Sequence, residues 1–186
     1  MPKLWHDTIE AHRNAVADTI MDRTAAIAAA EGIHALTMAR IAQESGIGRA
    51  TLYKYFKDVE DILLNWHRRQ ISSHLEDLEQ VRLRHESPLK ALEAVLLAYA
   101  GHTTHRHDAS LGRLLHAMPH VGEAHQQLQN FVAELIDQAT KAGELTSTSS
   151  SVERARYVIA AMKAASPHSR AQLARLVAMI LRGLGS

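Results

Sequence analysis

The sequence predicts an all-α protein of about nine helices. Three observations carry that expectation. Apolar residues recur at helical spacing through most of the 186 residues. Only four prolines interrupt them. No segment reads as a convincing strand, and no internal repeat is visible.

Taken in order, Val16, Ile20, Thr24 and Ile27 recur at helical spacing and predict a first helix of about twenty residues. It stops at Glu31-Gly32, where glycine suits a C-cap. Thr37 is placed to cap a short second helix, Met38 to Glu44. Ser45-Gly46-Ile47 is a tight turn, and a third short helix covers Arg49 to Phe56. Asp58 caps a long fourth helix, with Glu60 and Asp61 suited to the positive end of its dipole. Val59, Ile62, Leu63, Trp66, Ile71, Leu75 and Leu78 form its apolar stripe.

Beyond Ser87-Pro88, Leu89, Leu92, Leu96 and Tyr99 mark one helix. Leu111, Leu114 and Leu115 mark a shorter one, stopped by Pro119. Leu128, Phe131, Val132, Leu135 and Ile136 mark another, ending at Gly143. Ser150 with Glu153 forms a capping box for the next, which Ser166-Pro167 breaks. Leu173, Leu176, Val177, Ile180, Leu181 and Leu184 form the last stripe. The length allows one or two domains, and the pattern divides into residues 1–70 and 71–186.

Composition narrows the function. Without cysteine, disulfides and thiolate metal sites are excluded. No apolar run approaches the roughly 18 residues of a membrane span, and the N-terminus has no apolar signal region. A cytoplasmic protein without membrane contact is expected. Net charge is only +1. Its distribution is uneven: from Thr37 to Lys57, Arg40, Arg49, Lys54 and Lys57 face the single acid Glu44. A concentrated basic patch suits a compact module that meets DNA. No glycine-rich phosphate loop, cysteine nucleophile or Ser/His/Asp grouping supports an enzyme, and no cofactor or metal is expected.

Two short helices around a glycine turn are the helix-turn-helix pattern, here residues 37–56. The third helix is too short to survive alone, so its neighbours must clamp it. Ala42, Ile47 and Leu52 are the inward anchors. Small residues at Ala50 and Thr51 allow close approach to base edges, Gly48 before them belongs to the same DNA-facing set, and Arg49 suits guanine. Tyr53, Lys54, Tyr55 and Lys57 are placed for phosphates, as are Thr37 and Arg40 at the second helix.

The stretch "ALTMARIAQESGIGRATLYKYFKDVEDIL", Ala35 to Leu63, resembles the DNA-binding domain of the TetR family of transcriptional regulators. The likeness rests on Thr37, Ile41-Ala42, Gly46-Ile47, Thr51-Leu52-Tyr53, Phe56 and Leu63, and covers roughly residues 10 to 70. Gly48 and Val59 depart from it, where the family usually has a serine or threonine cap and a lysine. The resemblance implies a repressor that binds a near-palindromic double-stranded operator as a homodimer, with a second domain that takes a small-molecule effector. It implies dimerisation through the last two helices, which here offer Tyr157, Leu173, Leu176, Val177, Ile180 and Leu181.

The effector pocket is weakly specified. Aliphatic walls are expected from Leu63, Leu96, Leu114, Leu115 and Val132, with Trp66, Tyr99 and Phe131 as aromatics and His116 as a polar group. The sequence also holds 13 histidines, six of them at positions 102, 105, 107, 116, 120 and 125. Imidazoles with Asp108 and Glu123 suit a metal or haem, so a metal- or haem-responsive regulator is an alternative. A pH sensor and a helical interaction module without DNA binding are others.

Overall fold

A computed structural model describes residues 3–104, 120–146, 148–164 and 169–185. They form eight α-helices and one 3-10 turn, with no strand among them. The helices are α1 (Lys3–Glu31), α2 (Met38–Glu44), α3 (Arg49–Tyr55), α4 (Val59–Arg82), α5 (Pro88–Thr104), α6 (His120–Lys141), α7 (Ser151–Ala164) and α8 (Arg170–Leu184). The 3-10 turn, Ile33–Ala35, joins α1 to α2. The short helix expected around Leu111 to Leu115 lies outside the described residues.

α1 is longer than its apolar periodicity predicts, at 29 residues. Nothing between Lys3 and Glu31 is glycine or proline, so the helix continues through the exposed residues 9–15 without needing a core behind them. It ends where the sequence predicts. Gly32 adopts φ 84°, a left-handed conformation that glycine enters without steric cost, and its N–H bonds to the Ala28 carbonyl at 2.9 Å.

The other predicted caps are formed. Thr37 Oγ1 accepts from the Arg40 N–H at 3.2 Å, and Asp58 Oδ1 accepts from the Asp61 N–H at 2.8 Å. Ser150 and Glu153 form a reciprocal box: Ser150 Oγ accepts from the Glu153 N–H at 3.2 Å, and Glu153 Oε2 accepts from the Ser150 N–H at 2.9 Å. That bonding holds the Glu153 carboxyl below its ordinary pKa. Ser169 caps α8 in the same manner, accepting from Gln172 N–H at 3.2 Å.

The chain forms two compact units, and among the described residues the division falls between Gln70 and Ile71, inside α4. The N-terminal unit is built around Ile20, Ile41, Leu52 and Ile62, each wholly buried. Thr24 is also buried there, its hydroxyl donating to the Ile20 carbonyl at 2.8 Å. On the rim, Arg69 reaches back to α1 and donates to Asp18 at 2.6 Å and to Asp22.

The C-terminal unit has its own core, in which Leu92, Val95 and Leu96 of α5 meet Leu135 and Ile136 of α6 and Val158 and Ile159 of α7. Val177, Ile180 and Leu184 of α8 close it. A local cap and a distant side chain together secure the start of α5: Ser87 Oγ accepts from the Lys90 N–H at 3.2 Å, and Glu144 Oε2 accepts from the Leu89 N–H at 2.7 Å and from Ser87 Oγ at 3.0 Å. No described helix is long and apolar enough to cross a membrane.

Candidate nucleic-acid interface

α3 has seven residues and could not persist alone. Its only wholly buried side chain, Leu52, is 0 % exposed, and Phe56 just beyond its end is buried as well. Ala42 is buried beside them and Ile47 packs against the same core. Gly46, at φ 67°, turns the chain from α2 into α3. Its position requires the left-handed region, which side chains disfavour. Gly48 is the N-cap of α3 with φ −68° and makes no side-chain cap bond. The departure noted at that position therefore leaves the first N–H groups of α3 uncapped by a side chain.

With Leu52 and Phe56 turned in and Tyr55 half-buried, the rest of α3 turns out. Gly48, Arg49, Ala50, Thr51, Tyr53 and Lys54 are all exposed, and Tyr53 is 57 % exposed. Six neighbouring positions thus give a surface that is small at its N-terminal end and basic and aromatic at its C-terminal end. Lys57 is exposed beyond it, 3.7 Å from Asp58. Thr37 is exposed at the start of α2, although its hydroxyl is already used as a cap.

Two residues expected at this surface have other engagements. Tyr55 is half-buried and packs against the N-terminal core. The α3 face that carries Leu52 sweeps through this position as well, so its ring is shared between core and surface. Arg40 is bound by Glu31, Nη1 to Oε2 at 2.8 Å and Nη2 to Oε1. The hydrogen bond from Arg40 holds the Glu31 carboxyl below its ordinary pKa. The pair spans nine residues across the α1–α2 bend, and no local spacing signals it.

Residues 20–65 match bacterial regulatory proteins of the tetR family. These residues carry a TetR-type DNA-binding domain. A curated relative is the HTH-type transcriptional regulator SAB2452 of Staphylococcus aureus (strain bovine RF122 / ET3-1), 32% identical over 66 residues, or 36% of each chain. The TetR-family match therefore spans about a third of that relative's length. Solved structures extend the likeness of fold across both units. SCO4454, a TetR-family transcriptional regulator from Streptomyces coelicolor, superposes with TM-score 0.70 at 20% identity, covering 92% of this chain and 97% of that one. RolR, solved with resorcinol, gives TM-score 0.60 at 21% identity over 94% and 90% of the two chains.

The remaining predicted residues fall in different places. Leu63 and Trp66 are core residues of the N-terminal unit. Leu96 and Val132 are core residues of the C-terminal unit, with Tyr99 and Phe131 packed partly buried against it. Leu114, Leu115 and His116 lie outside the described residues. Of the expected dimer residues, Val177 and Ile180 are buried within the single chain. They are 0 % and 1 % exposed, because they face α5 and α7 in its own core. Leu173, Leu176 and Leu181 are half-buried against that core. Tyr157 is 53 % exposed, and Met179, absent from the expected set, is 59 % exposed. The Tyr157 hydroxyl lies 3.6 Å from where a side chain on Gly183 would begin, so α7 and α8 share one outer face.

Of the six clustered histidines, only the His125 side chain is described. Its Nδ1 lies 3.2 Å from Lys163 Nζ and its Nε2 lies 3.3 Å from Gln129 Nε2. Burial and then the Lys163 charge lower its pKa. With Nδ1 accepting from an ammonium, that nitrogen is not open to a metal. Among the described residues no group of three or more His, Asp or Glu is placed to hold a metal ion. The sequence has a Glu-x-x-His spacing at Glu31 and His34, but Gly32 ends α1 between them and Arg40 holds the glutamate.

Proposed function

We propose that the protein is a homodimeric transcriptional repressor that reads a near-palindromic operator with α3 and is released by a small molecule bound in its C-terminal unit. One observation carries the reading: the clamped helix α3 turns Arg49, Ala50, Thr51, Tyr53 and Lys54 outward together. The small N-terminal residues approach base edges, Arg49 reaches guanine, and Tyr53, Lys54 and Lys57 hold phosphates. The kinship of residues 20–65 supports this. The fold shared with RolR, which was solved with resorcinol, supports a small organic effector. The protein acts in the cytoplasm, on DNA and its effector alone.

The lever is α4. It contributes Ile62, Leu63 and Trp66 to one core and Leu78 to the other. A dimer reads successive major grooves only with its recognition helices about 34–36 Å apart. An effector that shifts α4 spoils that spacing and releases the operator. The second copy meets the outer face of α7 and α8, where Tyr157 and Met179 are exposed.

The test is selection of duplex DNA from a random pool by the purified protein, with affinities then measured at two salt concentrations. The expected result is an inverted repeat whose binding weakens steeply with salt and is lost in Tyr53→Ala and Lys54→Ala. Failure of a folded dimer to enrich any sequence at low salt overturns the reading.

A further inference from the structure

Among the described residues, the C-terminal unit contains a buried cation without a counter-ion. Arg154, in the first turns of α7, is 7 % exposed. Its Nη2 donates to Thr140 Oγ1 at 2.9 Å, and that hydroxyl donates onward to the Ile136 carbonyl at 2.7 Å. Nε and Nη1 are buried and have no hydrogen-bond partner. Among the described residues, no ion pair includes Arg154.

The acids that neighbour it along the chain and at the end of α6 are committed elsewhere. Glu153 turns back to Ser150, Asp137 pairs with Lys141 at 2.7 Å, and Glu144 caps α5. A guanidinium does not shed its proton inside a protein, so burial cannot be relieved by neutralisation. The negative end of α6 and one hydroxyl offset part of the charge. Two donor nitrogens and most of a formal charge remain uncompensated.

The charge balance of the surrounding sequence favours a negative group at the site. Residues 151–186 carry six basic side chains (Arg154, Arg156, Lys163, Arg170, Arg175 and Arg182) against the single acid Glu153. The whole chain carries only +1, so this excess is concentrated here. A positive field of that kind draws anions. Water would supply acceptors without charge. An oxyanion supplies both, in the planar geometry that a guanidinium favours.

We propose that Arg154, with Thr140 beside it, is the base of an anion site inside the C-terminal unit, taking a small oxyanion such as the carboxylate of an organic acid or an inorganic phosphate. The site stands whether or not the N-terminal unit reads DNA.

The experiment follows thermal unfolding of the full chain at fixed ionic strength as sodium chloride is replaced by sodium acetate or by sodium phosphate. Arg154→Met, Arg154→Lys and the surface control Arg156→Gln are measured alongside. The expected result is a saturable rise in Tm in the wild type and in Arg156→Gln that is absent in Arg154→Met. A response to acetate alone identifies a carboxylate site, to phosphate alone a phosphate site, and to both a general oxyanion site. No response, or an equal response in wild type and Arg154→Met, overturns the proposal. Should Arg154→Met fail to fold, the wild-type arginine Nε–H resonance missing from Arg154→Lys decides. A saturable shift on adding acetate or phosphate supports the site, and an unmoved resonance overturns it.

Discussion

Arg40 grips the Glu31 carboxylate with both terminal nitrogens, tying the end of α1 to the first turn of α2. Its charge is therefore largely neutralised before any phosphate arrives. On this basis, Arg40→Ala leaves the salt dependence of operator binding nearly unchanged. Glu31→Gln frees the guanidinium and steepens the salt slope by about one. Titrations at several salt concentrations check both.

The same pair has a pH signature. Because Arg40 depresses the Glu31 pKa in the folded state, the stability it contributes is present above the unfolded carboxylate range. It is lost as pH falls through the lower folded value. Wild type is expected to exceed Glu31→Gln in urea resistance at neutral pH, with the difference vanishing in acid.

Leu52 and Tyr53 are adjacent yet do opposite work. Leu52→Ala empties a wholly buried site and is expected to destabilise the N-terminal unit by about 2–4 kcal/mol. Tyr53→Ala removes an exposed ring and leaves urea unfolding unchanged within about 0.5 kcal/mol, while weakening operator binding. Lys54→Ala behaves like Tyr53→Ala in stability and lowers the salt slope by about one.

The two glycines of the turn respond differently to a side chain. Around Gly46 no atom lies within 4 Å of an added Cβ, but its φ of 67° strains any L residue. Gly46→Ala is expected to cost about 1 kcal/mol. At Gly48, φ is −68° and the nearest atom, Thr51 Oγ1, is 3.8 Å from an added Cβ. Gly48→Ser supplies the missing cap and is expected to stabilise by a few tenths of a kcal/mol. Denaturation midpoints of the two variants should move in opposite directions.

On the α7–α8 layer, burial separates folding from assembly. Val177→Ala is expected to cost about 1–3 kcal/mol in the chain itself. Met179→Asp and Tyr157→Asp change exposed positions and should leave helical content intact while dissociating the dimer. Sedimentation at micromolar concentration, read beside circular dichroism, distinguishes the two outcomes.

Much of this was legible in the sequence because it is local. Thr37, Asp58 and the Ser150–Glu153 box signal helix starts within three or four residues, and the structure forms each one. The α3 surface was legible for the same reason, since glycines and the position of Leu52 fix which way a seven-residue helix faces. Distant partners were not. Arg69 finds Asp18 across 51 residues, and Arg154 finds only a hydroxyl. An apolar stripe also reports burial without saying against what. Val177 and Ile180 carry that ambiguity, resolved by the chain's own core.

The division of the chain inside α4 has a consequence for how such proteins change. Loops tolerate insertions of any length, but each residue added to a helix turns everything beyond it by about 100° and advances it by about 1.5 Å. A helix runs unbroken through the division. A protease seeking an unfolded stretch finds none between Val59 and Arg82, and a recombination that exchanges one half succeeds only where the incoming helix arrives in phase.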